Sequence, residues 1–191
     1  MKTSGMKHQL EALKRMKGHK EYYALFMEQG TGKTWTLLAN AERLYSQGTI
    51  DAVLVIAPNG VHTNWVRREI PEHMDGHIIA RYWSSGAGVK QAKWTDEIMQ
   101  VRRDNEPVPL RILAMSIDAA VTKSGYAFAE KFLNTFKTMI ILDESSRIKN
   151  PDAKRESGRT SSSMYQARMI PRSDFQNPTE NSSIIGLPAP R

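Results

Sequence analysis

Six residues, Gln29-Gly30-Thr31-Gly32-Lys33-Thr34, constrain the fold of this chain more than any other stretch. An apolar segment, Tyr22 to Met27, leads into them and a helix-compatible segment, Trp35 to Tyr45, follows. A strand that passes through glycines into a helix is the order a phosphate cradle requires. Glycine lets backbone amides turn toward phosphate oxygens, the helix amino terminus adds partial positive charge, Lys33 can reach terminal phosphates and the Thr34 hydroxyl can ligate magnesium. The expected phosphate-binding set is therefore Gln29, Gly30, Thr31, Gly32, Lys33 and Thr34, with a nucleoside triphosphate and Mg2+ as ligands. Met27 stands where the general GxxxxGK[ST] pattern has its first glycine, but the tighter GxGKT core is intact. A plain glycine turn is the competing reading, and ordinary glycine usage would produce a chance GxGK[ST] in such a chain about one time in a hundred.

The rest of the chain alternates short apolar runs with helical stretches, the pattern of a mainly parallel sheet with crossover helices. Strands are expected over Tyr22 to Met27, Ala52 to Ala57, Ile78 to Trp83, Leu110 to Met115 and Met139 to Leu142. Their near-continuous apolar character suits burial on both faces. Helices are expected over Lys7 to Met16, Lys33 to Tyr45, Val61 to Ile70, Lys90 to Arg103 and Tyr126 to Phe136. The fold class is α/β, with one globular domain over 1–170, since 191 residues leave no room for a second of ordinary size. Prolines 171, 178, 188 and 190 then punctuate a Ser/Asn-containing segment, and 171–191 reads as a disordered or aberrant tail.

A second constellation is Met139-Ile140-Ile141-Leu142-Asp143-Glu144, an apolar strand that ends in two carboxylates and is expected beside the glycine loop in a parallel sheet. Asp143 would hold magnesium and Glu144 would polarise the attacking water, tasks that need one carboxylate each at a strand's carboxyl end. An Asp-Glu pair alone usually marks a solvated turn. Four apolar residues before it and a partner loop upstream favour the catalytic reading, with Lys33, Asp143 and Glu144 as the catalytic group.

Composition narrows the classes further. With no cysteine, disulfides, cysteine-ligated zinc and thiol nucleophiles are excluded. No apolar run of about 18 residues and no signal-peptide h-region occur, so a cytoplasmic, non-membrane protein is expected. A net charge of +7 suits a polyanionic partner, although a soluble protein with a basic surface would show the same balance. His73 and His77 are four residues apart, but Pro71 and Gly76 argue against the helix that would align them on a metal. The four tryptophans read as packing rather than base-stacking residues.

Read on from Asp143, the stretch Asp143-Glu144-Ser145-Ser146-Arg147-Ile148-Lys149-Asn150-Pro151 resembles the DEAH-type box of Swi/Snf-type ATPases, a branch of helicase superfamily two. His8-Gln9 with Leu13 is similar to the family's adenine-reading Q motif. Val55-Ile56-Ala57-Pro58 through Asn64-Trp65 and Glu69 is similar to motif Ia, and Leu113 to Asp118 to motif Ib. The resemblance spans about residues 7–170 and implies the first RecA-like lobe of a DNA-dependent ATPase that moves on double-stranded DNA. By the same resemblance Gln9 reads the adenine, and Arg67, Arg68, Arg147 and Lys149 lie along the DNA backbone, where a solvated surface charge is an equally good reading of each. Two departures stand out. Ser145 and Ser146 replace the usual Ala and His, which puts coupling in doubt, and the Thr-Gly-Thr-Pro-like motif III expected soon after residue 165 is not visible. The family pattern requires a second lobe for its arginine finger, and a protein that supplies this lobe is one partner to look for. The rival readings are a catalytically weak nucleotide- or DNA-binding module and a P-loop NTPase that does not act on nucleic acid.

Overall fold

The computed structural model describes residues 1–18, 22–28, 30–84, 88–100, 108–143 and 164–170, with backbone alone for 22, 88–93 and 164–170. The chain begins with helix α1 (Lys7–Met16), strand β1 (Tyr22–Phe26), helix α2 (Lys33–Ser46) and strand β2 (Ala52–Ala57). A helical run over 61–73 follows: α3 (Val61–Asn64), a π-helical turn (Trp65–Glu69) and α4 (Ile70–His73). Then come β3 (Ile78–Tyr82), α5 (Gly88–Met99), β4 (Leu110–Ser116), α6 (Ile117–Ala120), α7 (Lys123–Thr135), β5 (Thr138–Leu142) and β6 (Met164–Ile170).

The strands form one six-stranded sheet in the order β1-β6-β5-β2-β4-β3. β5, β2, β4 and β3 are mutually parallel, with Val53 opposite both Met139 and Ile112. The near-continuous apolar character of β2 and β4 follows from their position, because both faces of these central strands are covered. Val53, Val55 and Ala57 face a core made with Leu37, Leu38 and Ala41 of α2 and with Trp65 and Ile70. Ala52, Leu54 and Ile56 face a second core, made with Phe128, Phe132 and Leu133 of α7 and Ile98 of α5. This is the α/β architecture expected from the sequence.

One expectation is corrected. The carboxylate-bearing strand β5 does not lie directly beside β1; β6 separates them and runs antiparallel to both. β6 was not among the strands expected from the sequence, and it raises the count to six. Because β1 and β5 oppose the same strand, they run in the same direction, and all five remaining strands put their carboxyl ends on one edge. Ala24 and Leu142 both oppose Gln166, so β1 runs two residues past the end of β5; with two inter-strand steps of about 4.8 Å the strand ends lie about 12 Å apart, close enough for one ligand to touch both. The expected tail, 171–191, lies outside the described residues.

The amino-terminal residues tie the helices of one layer together. The Lys2 amide donates to the His73 carbonyl (2.7 Å) and the Trp35 indole to Thr3 Oγ1 (2.9 Å). Gly5 lies so close over Trp35 that an added Cβ would meet the ring at 2.2 Å. His73, which closes α4, is held by Thr3 Oγ1 at 2.9 Å. Among the described residues no helix is long and apolar enough to cross a membrane.

Candidate functional site

The glycine loop sits at the carboxyl end of β1. Gly30 (φ 81°) and Gly32 (φ 75°, ψ 39°) adopt left-handed backbone, and Gly32 caps the 14-residue helix α2. Thr31 tightens the turn through its hydroxyl, which donates to the Glu28 carbonyl at 2.7 Å. Lys33 opens α2 and is buried despite its charge. Its side chain folds back over the loop, and Nζ donates to the carbonyls of Met27 (2.9 Å) and Glu28 (2.7 Å).

Helix α1 holds the loop from the other side. Gln9 is buried, and its Nε2 donates to the carbonyls of Thr31 (3.2 Å) and Gly32 (3.3 Å) while its Oε1 accepts from the Met6 amide (2.8 Å). His8 Nε2 lies 2.9 Å from the Thr31 carbonyl. A trans peptide places N–H opposite C=O, so with these carbonyls turned toward α1 the amides of Gly32 and Lys33 face the opposite way. Together with the first-turn amides of α2, which have no intrahelical acceptor, they form a concentration of donors suited to an anion. A cleft of about 520 Å³ opens between α1 and β1 beside the loop, lined by residues that include Glu11, Arg15, Tyr23 and Phe26.

Asp143 follows β5 directly and is 1% exposed. Its amide donates to the Ile56 carbonyl at 2.8 Å, extending the β5–β2 ladder by one residue, and its Oδ2 accepts from the Trp65 indole at 3.0 Å. Thr34, in the first turn of α2, and Asp143 supply a hydroxyl and a carboxylate. Such hard oxygen donors suit Mg2+, which keeps most of its coordination sphere as water and nucleotide phosphate. These residues fit the ion the loop implies. Gln29, Glu144, Arg147 and Lys149 lie outside the described residues.

Away from the loop, the carboxyl ends of β2, β3 and β4 surround a cleft of about 350 Å³ lined by Asn59, Thr63, Ser116 and Thr122 together with Asp118 and Trp83. Arg67 is exposed near it: its guanidinium donates to the Tyr82 hydroxyl at 2.7 Å and lies 5.2 Å from that ring's centre. Arg68 is exposed and lies 3.7 Å from Glu72 one turn on. His62 is buried under Tyr82, ring edge to face at 6.2 Å. Burial pushes its pKa down, and hydrogen bonding to the backbone of Pro58 and Trp83 only partly opposes this.

The structure thus gathers Gln9, Gly30, Thr31, Gly32, Lys33 and Thr34 around one loop and sets Asp143 on the same sheet edge. Sequence reasoning assigned Trp65 to packing and missed its bond to Asp143. Nothing in the sequence signals it, because the two residues are 78 positions apart and an indole reads first as apolar bulk.

Among known families, the model described as "Type III restriction enzyme, res subunit" matches residues 2–170. No curated protein matches the chain.

Proposed function

Because the chain belongs to the type III restriction enzyme res-subunit family, and so is a RecA-like, helicase-like ATPase lobe of superfamily two, we propose that it binds Mg2+ and ATP at the glycine loop and serves a motor acting on double-stranded DNA. The observation that carries the nucleotide reading is the loop itself: left-handed Gly30 and Gly32 feeding a 14-residue helix, with the buried Lys33 ammonium held against the loop. Phosphate is expected to draw Lys33 Nζ away from the Met27 and Glu28 carbonyls, exchanging two neutral acceptors for a charged one. The base enters the cleft between α1 and β1; Gln9 does not line that cleft, so for it to read the adenine its carboxamide has to leave the Thr31 and Gly32 carbonyls. Bound magnesium supplies charge neutralisation of the terminal phosphates, with Thr34 and Asp143 as the residues that hold it. Glu144, next in sequence to Asp143, is the base that orients and deprotonates the attacking water in hydrolysis to ADP and phosphate.

The finer subtype, a Swi/Snf-like translocase, rests on the run Asp143 to Pro151, and the family's restriction-enzyme name favours DNA as the polymer. On this reading the duplex backbone follows the start of α3 from Gly60 to Thr63, with Arg67 and Arg68 on the next turns, and is also contacted by Arg147 and Lys149. A second RecA-like lobe completes the catalytic site.

The test is titration calorimetry with ATP and Mg2+. Lys33→Ala is expected to weaken binding severely, while Glu144→Gln keeps binding and abolishes hydrolysis. Wild-type affinity in Lys33→Ala would falsify the nucleotide assignment, and equal loss of binding in both variants would contradict the division of roles. If ATP binds but duplex DNA neither binds nor changes turnover when a second lobe is present, the chain is a nucleotide-binding module and not part of a DNA motor.

A further inference from the structure

We infer that Trp65 is the positioning residue for Asp143: its indole N–H fixes the orientation in which that carboxylate meets magnesium. The inference rests on the proposed role of Asp143 as a magnesium ligand, and adds a residue from a different element to the site.

Both partners are 1% exposed, and their bond, Nε1 to Oδ2 at 3.0 Å, joins the helical run 61–73 to the end of β5. Packing alone does not call for tryptophan here, because the surrounding core is built from Leu, Val, Ile, Met and Ala, and a phenylalanine ring would fill most of the same space. What the indole adds is a single donor with no acceptor capacity. It can hold a carboxylate oxygen but cannot act as a metal ligand or exchange roles with one. Trp83 supplies the contrast. Its ring stacks on Phe128 at 5.0 Å, and its buried Nε1 has no hydrogen-bond partner among the described residues, so at that position the ring suffices.

The geometry restricts Asp143 twice. The bond from its amide to the Ile56 carbonyl sets where the residue leaves the sheet, and the indole sets the rotation of the carboxylate about its last torsion. A ligand held in one orientation loses little freedom on meeting the ion, which is why groups behind metal ligands typically account for 10–100-fold in metal affinity. The indole also buries the carboxylate's flank in an apolar setting, where a charge-assisted hydrogen bond is stronger than in water. Finally, Trp65 begins the π-helical turn Trp65–Glu69, and such turns recur at functional positions because they set side-chain direction at the cost of helix regularity.

The experiment compares affinity for the non-hydrolysable β,γ-imido analogue of ATP in Mg2+ and in EDTA, using the whole chain. Wild type gains affinity from Mg2+; Trp65→Phe is expected to lose about tenfold of that gain, while its EDTA affinity stays the same. Trp83→Phe is expected to keep the gain. A purely structural role for Trp65 would lower both affinities together, and a full Mg2+ gain in Trp65→Phe overturns the inference. Indole ¹⁵N–¹H spectra of the wild type provide a reading that does not depend on Trp65→Phe folding. One indole resonance is expected to move with analogue plus Mg2+ but not with analogue plus EDTA, and to stop responding in Asp143→Asn. No Mg2+-dependent indole shift, or one that survives in Asp143→Asn, overturns the inference. Absence of analogue binding in the wild type under every condition removes the nucleotide reading itself, and this inference with it.

Discussion

Gly32 carries two constraints at one Cα. Its φ of 75° is costly for any residue with a side chain, and a Cβ there would lie 2.1 Å from Gln9 Nε2, the atom that holds the carbonyls of Thr31 and Gly32. Gly32→Ala therefore has to displace the Gln9 carboxamide while straining the helix cap, at a cost of about 1–3 kcal/mol for the backbone alone. Nucleotide affinity should fall sharply in calorimetry, and a melting curve should show the loss of stability. By contrast, a Cβ on Gly30 meets nothing within 4 Å, so Gly30→Ala should suffer only the strain of its φ of 81°. Near-equal defects in the two variants would show that the contact with Gln9 does not matter. His62 gives a second residue-scale expectation. Its pKa is pushed below the ordinary 6.5 by burial, so the unfolded chain binds a proton more readily than the folded one. Stability is then fully present above about pH 6.5 and declines as pH falls toward the lowered folded-state value. Urea midpoints measured at pH 7.5 and pH 5.5 should show this fall, and His62→Gln should reduce it. An unchanged pH dependence in that variant would rule out His62 as its source.

At the scale of elements, five strands and most helices were legible because apolar periodicity and burial coincide. Ala52–Ala57 and Leu110–Ser116 are buried along their whole length, and apart from Arg111 and the terminal Ser116 their sequences are apolar. The helix expected from Tyr126 begins earlier, at Lys123, because the Thr122 hydroxyl accepts from the Gly125 amide and caps it. The glycine that weakens the helical reading is required there, since a Cβ on Gly125 would lie 2.0 Å from the Ala119 carbonyl. Strand β6 was not legible: the run Met164–Ile170 contains Gln166 and Arg168, and its place in the sheet depends on pairing with β1 and β5 rather than on its own pattern. Arg111 shows the reverse case, a charge inside an apolar strand. It is fully buried on β4 and donates to the carbonyls of Ile98 (3.1 Å) and Gln100 (2.6 Å) at the end of α5 and to Pro109 (3.2 Å), with the Phe136 ring 4.5 Å away. A cation suits the carbonyl end of a helix. Arg111→Met would remove these donors, and leaving the carbonyls unpaired in the interior should cost about 2–3 kcal/mol. A urea midpoint equal to wild type would show that α5 is anchored by other contacts.

For the molecule as a whole, the geometry of the candidate site was legible where chemistry demands particular residues in a short span, as in Gly30 to Thr34 and in Asp143. It was not legible where it depends on how distant segments meet: the burial of Lys33, the grip of Gln9 on the loop, and the bond from Trp65 to Asp143. The DNA reading belongs to this scale too, because it concerns the summed field of a chain with net charge +7 and not one contact. Arg67 and Arg68 separate the two contributions. Arg68 is exposed, and its contact with Glu72 at 3.7 Å is the kind of surface pair that contributes little, leaving its charge available to a phosphate. Arg67 is instead braced by Tyr82, which fixes its direction beside that cleft. If both contact the duplex backbone, each alanine substitution should lower the slope of log K against log salt by about one counterion, with similar losses across DNA sequences. Tyr82→Phe, which keeps the ring but removes the hydroxyl that accepts from Arg67, should weaken binding through orientation while leaving that slope unchanged, since no charge is removed. Fluorescence anisotropy with a labelled duplex from low to moderate salt reads both quantities. Slopes in Arg67→Ala and Arg68→Ala that match wild type would mean these arginines are solvated surface charges, and the duplex would have to lie elsewhere on the lobe.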